Sequence, residues 1–170
     1  MSHQGKLSKF ENNNVYHFHL VVPKAIANEF IDGDNRRVLA TLNNDTTIHA
    51  GLMHLGNGDY YINLNKEVRK KLNLQLGDTL SYSLAKDNSE YGMPMCEELK
   101  EVLDTDYNGF ELFKNLTMGK QRSLIYICNL PKGQATRIKK SLVLMDCLKA
   151  SKKGDIDYKL FNNMYRNSSY

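Results

Sequence analysis

Hydrophobic positions along this chain run through one order of periods twice. Phe18, Leu20 and Val22 alternate, Ile26 and Phe30 fall four apart, and Val38, Ala40 and Leu42 alternate again. Offset by 42 residues and without a gap, Tyr60, Ile62 and Leu64, then Val68 and Leu72, then Leu80, Tyr82 and Leu84 repeat the series. Alternate residues of a strand share a face and residues four apart share a helix face, so each copy predicts strand, short helix, strand. Pro23-Lys24 and Asn65-Lys66 occupy equivalent helix entries, where Pro gives up no needed hydrogen bond and Asn is a capping residue. Gly33-Asp34 and Gly77-Asp78 supply the turns that follow, two residues out of the strict alignment.

Around the two copies, residues 1–11 read as a mobile lead-in or as a first strand beginning at Lys6, and strands are expected over 15–22 and 36–42. A strand over 46–55 is expected to pair antiparallel with 60–64 through the tight turn Gly56-Asn57-Gly58-Asp59. After Asp87 the spacing becomes helical, with helices predicted over 96–103, 109–116, 117–129 with Thr117 as cap, and 136–149. The 136–149 segment carries an apolar stripe of Ile138, Leu142, Met145 and Leu148, and a last short helix opens at Asp155 or Asp157. A β-rich domain over 1–88, built on pseudo-repeats 18–42 and 60–84, is therefore followed by a helical region over 89–170, an α+β chain.

Composition narrows this little: 170 residues with 41% hydrophobic content supply a real core. No apolar run approaches the length of a membrane span, and the polar start lacks a signal-peptide pattern, so a cytoplasmic protein of a bacterium-like cell is expected. Cys96, Cys128 and Cys147, odd in number and far apart, suit reduced structural thiols. Charge is uneven: residues 117–153 hold nine Lys or Arg against Asp146 alone, a local +8 in a chain of net +4. Such a segment suits an anionic partner, whether nucleic acid, lipid headgroup or phosphorylated molecule, and its plainer reading is a solvated helical surface.

The stretch Leu64-Asn65-Lys66-Glu67-Val68-Arg69, continuing to Leu76-Gly77-Asp78-Thr79-Leu80, resembles the signature of AbrB/MazE-like swapped-hairpin barrels. Ser89-Glu90-Tyr91-Gly92-Met93-Pro94-Met95, Glu97-Glu98-Leu99, Leu116-Thr117 with Gly119-Lys120-Gln121-Arg122-Ser123-Leu124-Ile125-Tyr126, and Ala135-Thr136-Arg137-Ile138 are similar to the bacterial YdeI/OmpD-associated, or bacteriocin-protection, family. The resemblance spans roughly residues 15–160. It implies a pseudo-twofold double-split barrel followed by helices, and implies little about activity. Two departures stand out: Cys96 replaces a helix-starting Pro, and Asn129-Leu130-Pro131-Lys132-Gly133 replaces a Lys-rich, aromatic-containing stretch.

Catalytic chemistry finds little footing. His17 and His19 share a strand face, while His49 and His54 fall on opposite faces of another strand. Without three converging ligands they read as partly buried strand histidines, so neither a metal nor a cofactor is expected. No Gly-x-Ser-x-Gly elbow occurs, the cysteines sit in apolar helical settings, and Gly56-x-Gly58 is a hairpin turn rather than a phosphate loop. The candidate site is an anion- or ligand-binding set of Lys120, Arg122, Tyr126, Arg137 and Lys140, with Tyr91. Arg122 and Tyr126 share a helix face, and Arg137 and Lys140 begin the next helix, where free backbone N–H groups favour anions. Antiparallel packing of those helices would part Lys120 and Arg122 from Arg137. The competing role for Arg122 and Arg137 is structural pairing to Glu97, Glu98, Glu101 or Asp104. The expected function is a non-enzymatic binding or stress-protection protein, monomeric or weakly dimeric, whose partner is an anionic ligand or protein. An AbrB-like nucleic-acid-binding regulator is the alternative, and an enzyme with a site between barrel and helices the second alternative.

Overall fold

The computed structural model describes residues 1–11 and 18–170, so His17 and the first residues of the strand expected over 15–22 lie outside the described residues. The chain divides into two compact units, Met1–Gly92 and Met93–Tyr170. In the first, β1 (His3–Lys9), β2 (Phe18–Val22), α1 (Lys24–Asn28), β3 (Arg37–Leu42), β4 (Thr46–Gly51), β5 (Met53–His54), β6 (Tyr60–Asn63), α2 (Lys66–Lys71) and β7 (Thr79–Lys86) form a nearly closed antiparallel barrel. Its strand order is β4-β3-β7-β1-β2-β6-β5.

The registers place the two copies of the repeat about one pseudo-dyad. Leu20 pairs with Ile62 in β2–β6, and Thr41 pairs with Ser83 in β3–β7. Each pair is separated by the repeat length of 42, so each residue faces its own counterpart. The symmetry also reaches strands whose sequences show no echo. His3 pairs with Tyr82 as Ile48 pairs with Ala40, and Lys9 pairs with Phe18 as His54 pairs with Tyr60. Strand β1 is thus the twin of β4 and β5 taken together, at an offset of 45 residues. In the sequence, three more residues separate Lys9 from Phe18 than separate His54 from Tyr60.

This explains a departure from expectation. The segment predicted as one strand over 46–55 breaks at Leu52, because its first part pairs with β3 while Met53 and His54 pair with β6. β1 makes the same exchange unbroken, from β7 to β2. Leu52 itself is buried, and its N–H still donates to the Arg36 carbonyl on the β3 side at 2.9 Å. Gly56 and Gly58 at φ +92° and +98° turn the following hairpin, a region closed to most side chains. All sixteen apolar positions of the repeat belong to the barrel core or pack against it. Asn65 Oδ1 accepts from the Val68 N–H at 2.8 Å and caps α2.

The second unit comprises α3 (Glu97–Thr105), α4 (Tyr107–Lys114), α5 (Met118–Asn129), α6 (Gln134–Ala150) and α7 (Tyr158–Asn167). Thr117 and Asp157 cap α5 and α7 through their side chains. Cys96 stands at the N-cap of α3 without a side-chain capping bond. Helix α6 is central and touches α3, α4, α5 and α7. It therefore buries Ser141, Val143, Leu144, Met145, Cys147 and Leu148, a wider set than the single predicted stripe, while Ile138 at its start is exposed. No helix among the described residues is long and apolar enough to cross a membrane.

Candidate functional site

The predicted cations are held by different partners at opposite ends of α6. Arg137, in its first turns, grips Glu98 with two parallel bonds, Nη2 to Oε1 at 2.7 Å and Nε to Oε2 at 2.9 Å. Its remaining Nη1 donates to the Pro131 and Lys132 carbonyls at 3.2 and 3.0 Å. One guanidinium thus ties the start of α3 to the turn between α5 and α6. The Arg137 bonds hold the Glu98 carboxyl down to about 2, assisted by the Glu98 backbone N–H. Arg137, in turn, is raised by the same carboxylate.

Lys120 lies beyond the other end of α6. Its Nζ meets Asp155 Oδ1 at 2.7 Å and the Gly154 carbonyl at 3.3 Å, just after the helix finishes at Ala150. Thirteen residues of helix separate that end from Arg137, roughly 20 Å. The five helical candidates therefore do not form one cluster. Arg122 is half-buried and engaged within the fold, and Tyr126 is exposed. Tyr91 belongs to the barrel unit, where burial and the neighbouring Glu90 push its phenol up to about 12.

Lys140 leads to a group that sequence reasoning missed. Its ammonium donates to the Ile127 carbonyl at 3.3 Å and lies 5.8 Å from the centre of the Tyr165 ring on α7. Lys139 approaches the same ring at 5.3 Å and donates to the Ser168 carbonyl at 2.8 Å. Both ammonium groups are met by carbonyls and an aromatic ring, and neither has a carboxylate at ion-pair distance among the described residues. Three other cations of the basic segment do: Lys120 on Asp155, Arg137 on Glu98 and Lys149 on Asp106. The only sequence signal for this pairing was the amphipathic spacing of α7, whose Phe161 and Tyr165 lie one turn apart.

A second unforeseen network lies on the barrel. Asp87 follows β7 and is buried, although its place opposite Arg37 sets it on the outer face of the sheet. His49 Nδ1 meets Asp87 Oδ2 at 2.8 Å, and the Ser89 hydroxyl and N–H donate to Oδ1 at 2.5 and 3.1 Å. Burial raises the Asp87 carboxyl, but the Ser89 and His49 hydrogen bonds outweigh it and the net shift is downward. Arg37 closes the same loop by donating to the Gly92 carbonyl. His49 is thus a partly buried strand histidine that also partners a carboxylate.

The cysteines are free thiols, and burial pushes all three up, Cys128 to about 12. No group of three metal-ligating side chains converges among the described residues. The barrel with its seven strands is the part that comparison with known families reaches: a family described as "Domain of unknown function (DUF1905)" matches residues 4–84. Residues 4–84 form a DUF1905 domain. The match ends within β7, so the helical unit, with Lys120, Arg122, Arg137, Lys139, Lys140 and Lys149, lies outside it. No curated protein and no solved structure matches the chain.

Proposed function

We propose that this chain is a non-enzymatic binding protein for an anionic partner, with the helical unit as the binding part and the DUF1905 barrel as scaffold. The observation that carries this reading is the convergence of Lys139 and Lys140 on Tyr165 without a carboxylate. Two ammonium groups beside one ring repel each other and gain from an anion that bridges them. The charge balance supports the same unit. Residues 93–170 hold thirteen Lys or Arg against nine Asp or Glu, a net +4, while residues 1–92 hold ten of each. An AbrB-like reading, in which the barrel binds nucleic acid, gains no support from a neutral barrel. The resemblance of the helical region to YdeI/OmpD-associated proteins accords with a protective role exerted through binding, in the cytoplasm. Heparin chromatography tests the reading. The chain is expected to be retained and to elute at lower salt after Lys139→Ala with Lys140→Ala, with the far-UV circular dichroism spectrum of the fold retained; identical elution of the two proteins rejects the lysine pair as the anion site.

A further inference from the structure

We infer that Asn57 is a site of spontaneous deamidation, at which the chain's own Gly58 peptide nitrogen is the nucleophile. Two asparagines of the sequence precede glycine, Asn57 and Asn108, and glycine is the follower that crowds such an attack least. The fold separates the two. Gly56, Asn57 and Gly58 are exposed in the turn between β5 and β6, and the Gly58 N–H donates to no acceptor among the described residues. Asn57 Oδ1 accepts from the Asp59 N–H at 3.0 Å, which folds its side chain back across the Gly58 peptide and polarises the carbonyl to be attacked. A Cβ at Gly56 or Gly58 would meet nothing within 4 Å, so the turn has room for the ring that forms.

The reaction needs only base and water. Hydroxide takes the Gly58 N–H proton, and the nitrogen attacks Asn57 Cγ. The bond from Cγ to the side-chain nitrogen then breaks, and that nitrogen leaves as ammonia after taking a proton from water, which regenerates the hydroxide. Water opens the resulting succinimide ring at either carbonyl, giving aspartate or, with the main chain rerouted through the side chain, isoaspartate. Asn108 has the same chemistry in its sequence and the opposite setting. It lies in α4, where the Gly109 N–H donates to Asp106 Oδ1 at 3.0 Å and a Cβ on Gly109 would stand 2.6 Å from Met145 Sδ. Ring closure there requires Asn108 to give up its helical ψ in a segment packed tightly on α6. At the β5–β6 turn the product sets a second carboxylate near Asp59, whose Oδ1 accepts from the Lys24 N–H at the start of α1. The isoaspartate form also lengthens the main chain between the Leu55 N–H and the Asp59 carbonyl, which meet at 2.9 Å.

The test is peptide mapping by mass spectrometry of the full chain held in mildly alkaline buffer, once folded and once in guanidinium chloride. In the folded chain Asn57 is expected to convert to a mixture of aspartate and isoaspartate about tenfold or more faster than Asn108, which reacts only when α4 opens. In guanidinium chloride the two rates are expected to converge, because both sites are then an Asn-Gly pair in an open chain. Asn57→Gln, whose longer side chain would have to close a larger ring, is expected to remove the acidic species that ion exchange resolves first as the folded protein ages. Equal rates at Asn57 and Asn108 in the folded chain overturn the inference. So does an Asn57 that stays intact while the denatured chain converts, or a product that is aspartate without isoaspartate.

Discussion

Arg137 spends four of the five N–H donors of its guanidinium within the fold: two on Glu98 and two on carbonyls of the turn before α6. Those four bonds give the residue a structural task whatever else it contacts. Glu98 titrates at about 2 in the folded chain and near 4.5 when unpaired. Because the folded value is the lower one, the stabilisation is complete above pH 4.5 and is lost as pH falls toward 2. Thermal melts are therefore expected to show Tm declining over that window, with a visibly shallower decline for Glu98→Gln. Arg137→Ala should lower Tm by several degrees at neutral pH, since it strands a carboxylate shielded from solvent. An unshifted Tm for Arg137→Ala would show that the ion pair is dispensable. Gly5 carries a different residue-scale constraint. A Cβ there would stand 2.5 Å from Leu20 Cδ1 and 3.2 Å from the Val21 carbonyl oxygen, and Leu20 is fully buried. Gly5→Ala is expected to cost about 1–3 kcal/mol in denaturant unfolding. Its twin across the pseudo-dyad is already Ala50, so the two halves tolerate different side chains at one equivalent position.

Among the elements, those whose side chains meet one neighbour were legible and those that serve several were not. The β2–α1–β3 and β6–α2–β7 copies were readable because each strand has one face in the barrel, which writes alternation directly into the sequence. The twin relation of β1 to β4 and β5 was not, since it runs through Gly5 and Leu7 on one side and Ala50 and Leu52 on the other, too few apolar positions to stand out. Helix α6 misled for the converse reason. Touching four helices, it buries adjacent residues such as Val143, Leu144 and Met145, so a single i, i+4 stripe under-reads it. For the site, the basic character of 117–153 could be counted, but its division into paired and unpaired cations depends on Asp155, Glu98, Asp106 and Tyr165, which are remote in sequence. Caps were the most local signal and the most readable. Asn65→Ala is expected to remove about 1 kcal/mol by orphaning the Val68 N–H, with Asn65→Asp close to neutral. Equal losses for Ala and Asp would point away from capping.

For the whole molecule, the division at Gly92 separates two kinds of content. All sixteen repeat positions of the barrel lie in or against a core made wholly of residues before that boundary. A pseudo-twofold barrel of this kind supplies from one chain what two copies of a half-barrel would supply together, so its closure requires no second subunit. The last strand is secured at its exit by Asp87, held by His49 and Ser89, and by Arg37 on the Gly92 carbonyl, all within the same unit. A fragment of residues 1–92 is accordingly expected to unfold cooperatively and to keep far-UV circular dichroism of β type. His49→Ala in that fragment should lower its midpoint by unpairing a buried carboxylate. With ten cations and ten anions, the fragment should also pass through heparin unretained under conditions that hold the full chain. Retention of the fragment would move the anion-binding surface onto the barrel, because no part of the helical unit would then be needed to explain it.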